Sequence, residues 1–320
     1  MNATHFNRYT MKKGRIAVLL ATYNGEKYLP ELLESLIGQS FKEFCCFIHD
    51  DGSKDRTIEI LENFCIQYPQ KFVMVEGEST GGAKANFMYL MEQVQADYYM
   101  FCDQDDMWLP EKVELSYNLI KKQKADIPTV VYTDLKIVNS ELDLIDSSYY
   151  HYTGKNPNKN SLIDLLKCNV TVGCTMMINR VLRDKALQVS NLDNIFMHDW
   201  WISLIATVSG QLIFLNKQTI LYRQHGDNSV GAIKKKKFIE KAAQYIHYKQ
   251  MIEKKKYYVQ RPILFCRELS RAVNQECKDI KFIEEYALIN KHSKFQRIKF
   301  YKCWNLFQEN SSQLWQMLWI

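Results

Sequence analysis

Long apolar runs are the first thing missing from this 320-residue chain. No uninterrupted stretch reaches the roughly 18 residues that a membrane-spanning helix needs, and the opening MNATHFNRYTMKKGR has no apolar segment behind its basic residues. Neither export nor a membrane span is therefore expected. Regular cysteine spacing is missing too. The nine cysteines, at 45, 46, 65, 102, 168, 174, 266, 277 and 303, are odd in number and several lie within apolar runs. That argues against a disulfide framework or a zinc site and for buried thiols in a reducing, cytoplasmic setting. There is no internal repeat and no low-complexity linker, and at 47% hydrophobic residues the chain can bury a full-sized core.

What is present is charge, unevenly placed. Residues 1–230 hold 23 Lys/Arg against 28 Asp/Glu, a balance of −5, whereas residues 231–320 hold 19 against 8, a balance of +11. A mildly acidic body thus carries a basic appendage, which must meet an anionic partner or stay solvated. Lysines at 234–237, 241, 249 and 254–256 are interleaved with Phe238, Ile239, Tyr245, Ile246, Tyr248, Tyr257 and Tyr258. This pattern suits a basic amphipathic helix on anionic lipid, and equally the solvated face of a packing helix. The last stretch, FYKCWNLFQENSSQLWQMLWI, is too short and too polar to span a bilayer.

The run RIAVLLAT (15–22) ends in Tyr23-Asn24-Gly25, which reads as a buried strand entering a loop. Helical spacing follows over 28–37, where Pro30 fits only the first turn. A strand at 44–48 stops at His49-Asp50-Asp51-Gly52-Ser53, and a helix at 55–67 takes Ser53 or Asp55 as its cap. A third strand is expected at 71–75, a helix at 83–95 and a fourth strand at 98–102. This alternation predicts an α/β fold with a doubly wound, mostly parallel sheet. Ligands of such sheets lie off the carboxyl ends of the strands, so the polar clusters at 22–25, 49–53 and 103–106 belong on one edge. Beyond Val130 the rhythm loosens, with strands expected near 130–138, 171–178 and 212–221 and helices near 161–167 and 200–208. From Lys234 onward the chain reads as helical.

In MFCDQDDMWLP (100–110) three aspartates stand directly behind an apolar strand. Carboxylates at i and i+2 in such a loop can turn toward one divalent ion, and hard cations take one or two carboxylates plus phosphate oxygens of a substrate. The same residues also serve as turn formers and as the cap of a helix beginning near Pro110, a role that Asp106 fits best.

VLLATYNGEKYLPELLESLIGQSF, FIHDDGSKDRTIEIL and YYMFCDQDDMWLPEKV are followed in order by VGCTMMINR, MHDWW and YRQHGDNSVG. In these six motifs the chain resembles family 2 glycosyltransferases, inverting enzymes of the GT-A fold, and in particular bacterial rhamnosyltransferases of capsule, O-antigen and cell-wall polysaccharide assembly. The resemblance implies an N-terminal extension over 1–14, a GT-A domain with a Rossmann-like nucleotide-binding half over 15–231, and a basic helical C-terminal region over 232–320. It places the donor nucleotide on Thr22, Tyr23, Asn24, Asp50 and Asp51, with Asn86 lining the pocket and Gly82 to Lys84 supplying N–H groups or a cation. Its D-x-D motif maps onto Asp103-Gln104-Asp105, which would hold Mg²⁺ or Mn²⁺ with His225 completing the site and Asp103 also near the nucleotide. Asp199 stands where the family carries its general base; an N-cap role fits it as well, and His198 replaces the acid usual before it. Trp200 or Trp201 would offer a stacking surface to the acceptor sugar, Arg223 would offset diphosphate charge, and Cys174 would lie by the sugar pocket.

The partners implied are a nucleotide-sugar donor and a saccharide acceptor, lipid-linked, with no nucleic acid. The expected setting is cytoplasmic, with the tail resting peripherally on the inner face of the membrane. The wording of DQDD and HDWW points first to dTDP-L-rhamnose as donor and next to UDP-hexoses. Two other classes compete. A phospho-accepting signalling domain also gathers aspartates at strand ends, but needs a lysine after a later strand. A nucleic-acid-binding protein would rest on the basic tail alone and require a steep salt dependence.

Overall fold

The computed structural model describes residues 9–10, 16–226, 248–273, 277–304 and 306. A short β1 (Tyr9–Thr10) precedes the first long strand, β2 (Ile16–Thr22). Ile16 to Leu20 have no exposed surface, as in a parallel strand covered on both faces. In α1 (Leu29–Ile37) the buried Leu29, Leu32, Leu33 and Leu36 fall at i, i+3, i+4 and i+7, and Pro30 sits in the first turn. Then come β3 (Phe44–Asp50), α2 (Thr57–Gln67), β4 (Phe72–Met74), α3 (Ala83–Gln93), β5 (Val94–Gln95), which pairs with β1, and β6 (Tyr98–Asp103). Of the two expected caps for α2, Asp55 accepts from the Thr57 N–H, while Ser53 bonds Asp50 instead.

The second half continues with β7 (Met107–Trp108), α4 (Lys112–Ile120), β8 (Thr129–Val138), β9 (Leu144–Asp146), α5 (Tyr149–Thr153) and α6 (Leu162–Lys167). After them come β10 (Met176–Asn179), α7 (Arg180–Ala186), α8 (His198–Ser209) and β11 (Gln211–Arg223). The large sheet has the order β4-β3-β2-β6-β10-β8-β11-β7, with β9 paired to β8. β4, β3, β2 and β6 are parallel, β10 runs antiparallel between β6 and β8, and β11 lies parallel to β8. The sheet is thus mostly parallel, as expected, with one inserted reversal. The chain winds outward from β2 and returns on its other side at β6, so the strand order switches between them, the place where open α/β sheets bind ligands. Register aligns the strand ends there: Thr22 lies opposite Asp50, and Ala21 opposite Asp103.

Expected strand 171–178 begins only at Met176, because Gly173–Thr175 forms a 3₁₀ turn at the cavity. Helices α9 (Tyr248–Ala272), α10 (Ile280–Ala287) and α11 (Lys294–Cys303) make up the described C-terminal part. α9 packs against α6 and α8. The buried Glu268 carboxylate accepts from the Ser190 N–H (2.8 Å) and Asn194 Nδ2 (2.6 Å). The boundary at 231–237, the side chains of the basic amphipathic stretch and residues 307–320 lie outside the described residues. Among the described residues no helix is long and apolar enough to cross a membrane.

Candidate active site

The ends of β2, β3 and β6 open onto a cavity of about 1380 Å³. Thr22, Tyr23 and Asn24 line it, and Asn24 holds a φ of 48°, a left-handed conformation that asparagine tolerates. The Thr22 hydroxyl donates to Asp50 Oδ2 (2.8 Å). Asp50 itself is turned away from the cavity, a correction to its place with the nucleotide. Its oxygens also accept from the Gly52 N–H and from the N–H and hydroxyl of Ser53, so it organises the turn. Asp51 does face the cavity. The loop 79–82 wraps its carboxylate with N–H groups of Thr80, Gly81 and Gly82 and hydroxyls of Ser79 and Thr80. Burial pulls the Asp51 pKa up, but these bonds outweigh it and hold the group below its ordinary value. Asn86 lines the wall while bridging His49, from Oδ1 to Nδ1 (2.9 Å) and from Nδ2 to the carbonyl (3.1 Å). Lys84 points elsewhere, donating to the carbonyls of Leu192 and Ile195.

Gln104 ties the two loops together. It accepts from the Tyr23 N–H and donates to the Tyr23 carbonyl, both at 2.8 Å. A Cβ on Gly25 would lie 2.3 Å from Gln104 Oε1, so a larger residue there would push the Gln104 amide out of this tie. Asp103 and Asp105 line the cavity, and His225 Nε2 stands 2.9 Å from Asp105 Oδ2. Asp106 is not a helix cap. It is fully buried, Oδ1 accepts the Arg223 N–H (3.2 Å), and Oδ2 has no hydrogen-bond partner among the described residues. Helix α4 starts well beyond it, at Lys112, without a side-chain cap.

The ligand atoms of Asp103, Asp106 and Cys174 lie within 4.8 Å of one another. Burial, and then the charges of neighbouring aspartates, push both Asp103 and Asp106 up from the usual carboxylate range. Carboxylates crowded to that degree are relieved by a hard divalent cation, so the two aspartates fit Mg²⁺ or Mn²⁺, whereas the Cys174 thiol is not a donor such ions select. Two expectations change here. Cys174 is buried behind Asp103 and Asp106 and does not line the cavity. Arg223 is buried as well: it donates to the carbonyls of Asp105 and Ser140 and to Glu31, and lies 4.4 Å over the Tyr28 ring. It fastens the acidic loop from behind.

Across the cavity, α8 begins at His198, so Asp199 is its second residue and Met197 holds the cap position. Asp199 Oδ2 accepts from Asn169 Nδ2 (3.1 Å) and the Gly173 N–H (3.2 Å), and Oδ1 from the Trp200 N–H (2.6 Å). Burial pushes its pKa up to about 6, with those bonds and Lys155 opposing. A carboxylate so placed is ionised at neutral pH and more basic than an ordinary one. His198 lies against the rings of Phe87 (4.3 Å) and Phe101 (5.0 Å), and neither ring nitrogen has a hydrogen-bond partner among the described residues. Burial lowers its pKa to about 3, so it is neutral. Trp200 lines the cavity, whereas Trp201 is core, fully buried with Nε1 donating to the Ala186 carbonyl. Trp201 therefore offers no stacking surface.

Sequence reasoning missed Gln104, Asn169, Lys155 and Arg261. Lys155 Nζ donates to Tyr149 Oη and the Asn169 carbonyl, both at 2.9 Å. Arg261, from α9, lies 4.1 Å over the Trp200 ring and donates to the Lys167 carbonyl (2.9 Å). Only Gln104 carries a local signal, as the middle residue of the D-x-D motif. The others reach the cavity through tertiary packing.

Comparison with known proteins agrees with this arrangement. A family model described as glycosyl transferase family 2 matches residues 17–187. The chain is 31% identical over 227 residues to the dTDP-rhamnosyl transferase RfbG of Shigella flexneri, covering 67% of this chain and 74% of that one. It is 25% identical over 240 residues to the putative teichuronic acid biosynthesis glycosyltransferase TuaG of Bacillus subtilis (strain 168), covering 74% of this chain and 91% of that one. In fold it is similar to S. aureus TarS 1-349, with a TM-score of 0.54 and 18% identity over 94% of this chain and 77% of that one. These matches set the signalling-domain alternative aside. Because the family model spans more than half of its length, the chain belongs to glycosyl transferase family 2 and is a glycosyltransferase of the GT-A fold.

Proposed function

We propose that this enzyme moves one sugar, with inversion at the anomeric carbon, from a nucleotide diphosphate to a saccharide acceptor in surface-polysaccharide assembly. The observation that carries the reading is a single cavity with Asp199 on one side and the Asp103–Asp105 loop on the other. The base and ribose of the donor lie against Tyr23, Asn24 and Asp51, beside Asn86. Asp103 and Asp105 would hold Mg²⁺ or Mn²⁺, with His225 orienting Asp105. Such an ion, when bound, supplies charge neutralisation to the leaving diphosphate.

Asp199 accepts the proton of the acceptor hydroxyl as that oxygen bonds to the anomeric carbon. The bond from the anomeric carbon to the diphosphate oxygen breaks on the opposite face, and the nucleoside diphosphate departs. Asn169 and the Gly173 N–H fix the direction of the base. The similarity to RfbG supports dTDP-L-rhamnose as donor. The basic residues 231–320 support a lipid-linked acceptor met at the inner membrane face.

The test is thermal shift and nucleoside diphosphate release with Mn²⁺ and a panel of dTDP-L-rhamnose, UDP-hexoses and GDP-sugars. Stabilisation and release with dTDP-L-rhamnose are expected, and preference for a UDP-hexose would replace the donor while keeping the mechanism. Absence of nucleotide binding, or full turnover by Asp199→Asn, would sink the reading.

A further inference from the structure

Helix α11 turns an apolar and basic face away from the protein. Its inner side is anchored: Phe300 and Tyr301 are buried, Phe300 stacks on Phe282 of α10 at 5.6 Å, and Arg297 donates to the carbonyls of Ile289, Asn290 and His292. A capping box of Ser293 and Gln296 starts the helix, so the face is preformed. At about 3.6 residues per turn, Phe295 stands opposite the buried pair Phe300 and Tyr301, with Ile298, Lys299 and Lys302 beside it. Phe295 is 79% exposed and Ile298 40%. Residues 286–304 hold Lys291, Lys294, Arg297, Lys299 and Lys302 and no acid. Among the described residues none of these lysine side chains has a hydrogen bond or an ion pair. The nearest acids in the chain, Glu284 and Glu285, belong to α10, and Glu285 accepts from Trp304 Nε1 (3.4 Å), whose ring packs on Phe282 at the inner side.

We propose that this outer face of α11 rests on an anionic lipid surface, with Phe295 and Ile298 entering the interface and Lys294, Lys299 and Lys302 meeting the headgroups. Apolar side chains held in water by a rigid helix gain from any apolar phase that covers them. The core of a protein interface is depleted of lysine, whereas lysines ringing an aromatic and an aliphatic side chain are the pattern of a helix lying in the plane of a membrane. Each cation brought near an anionic surface adds to the attraction. No residue of α11 lines the cavity that holds Asp199, so the surface is separate from the site. The inference rests on the proposed function only in that an acceptor on a lipid carrier gives the enzyme a membrane to meet, and it adds α11 to the lysines between 234 and 258 named from the sequence.

Co-sedimentation of the full chain with vesicles tests this, using phosphatidylcholine alone and phosphatidylcholine mixed with phosphatidylglycerol. The wild type is expected to sediment with the mixed vesicles and to stay in the supernatant with the neutral ones. Phe295→Ser combined with Ile298→Ser should weaken binding at least about tenfold, and Lys299→Gln combined with Lys302→Gln about fivefold for each lysine removed. These positions are exposed, so unchanged thermal midpoints are expected and keep folding out of the comparison. Wild-type affinity in either double variant overturns the proposal, as does equal binding to neutral vesicles or none to either kind. Binding to a DNA duplex that both double variants lose, with none to vesicles, assigns the face to nucleic acid and overturns it too. Titration of the same samples with dTDP and Mn²⁺ reads the proposed function separately. Absent vesicle binding with intact dTDP binding fails the surface alone, and the reverse fails the proposed function alone.

Discussion

The proposed donor side of the cavity is built from residues that follow directly on strand ends, at 22–25, 51 and 103–105, whereas the proposed acceptor side is gathered from stretches between 149 and 261. On the first side Asp50 organises its own turn behind the wall, the loop 79–82 holds Asp51, and His225 meets Asp105. On the acceptor side Asp199 depends on Asn169 and Gly173, and the surrounding charge on a helix that begins after the catalytic domain's last strand. Under the proposed function, strand ends place the acids that would meet the metal and diphosphate, and the stretches after β8 place the proposed base.

Variants that strike one side only test this division. Asp199→Asn has the largest expected effect, a loss of about 10² to 10⁴-fold in kcat, with the affinity for nucleoside diphosphate unchanged; a parallel fall in that affinity would break the division. Next comes His225→Ala, expected to weaken Mn²⁺ binding about 10 to 100-fold, measured by titration of the ion in the presence of dTDP, while the acid limb of the pH profile stays in place.

That limb belongs to Asp199. With a pKa raised to about 6, the base is ionised above that pH, and kcat should fall roughly tenfold per unit below it. Asn169→Ala removes a bond that favours the ionised form, so the limb should move upward by about one unit. A limb that moves down, or not at all, would detach Asn169 from the base. The smallest effect expected is that of Gln104→Ala, which unties Tyr23 from the acidic loop and should weaken dTDP binding by about 1 kcal/mol in the same titration, with kcat at saturation retained.

Legibility in the sequence follows the same line. The strands of the first half were readable because each is a continuous apolar run closed by polar turn residues, and the D-x-D and Asp-Asp-Gly-Ser clusters follow within a few positions. Burial was not readable. Nothing local separates Asp106, drawn inward against Arg223, from an exposed cap, or Trp201 in the core from Trp200 at the cavity. Arg223 also read as a free cation until the structure paired it with Glu31 and the Asp105 carbonyl. Asn169, Lys155 and Arg261 escaped altogether, since what brings them to the cavity is contact across 14 to 94 positions.

Glu268 lies one helical stretch beyond Arg261 and grips the loop that leads into α8. A chimera that exchanged the tail with that of a paralogue at a joint near residue 231 would carry both residues with it. Under the proposed function, that exchange would alter the wall beside Asp199 and leave the strand-end loops at 22–25, 51 and 103–105 as they are.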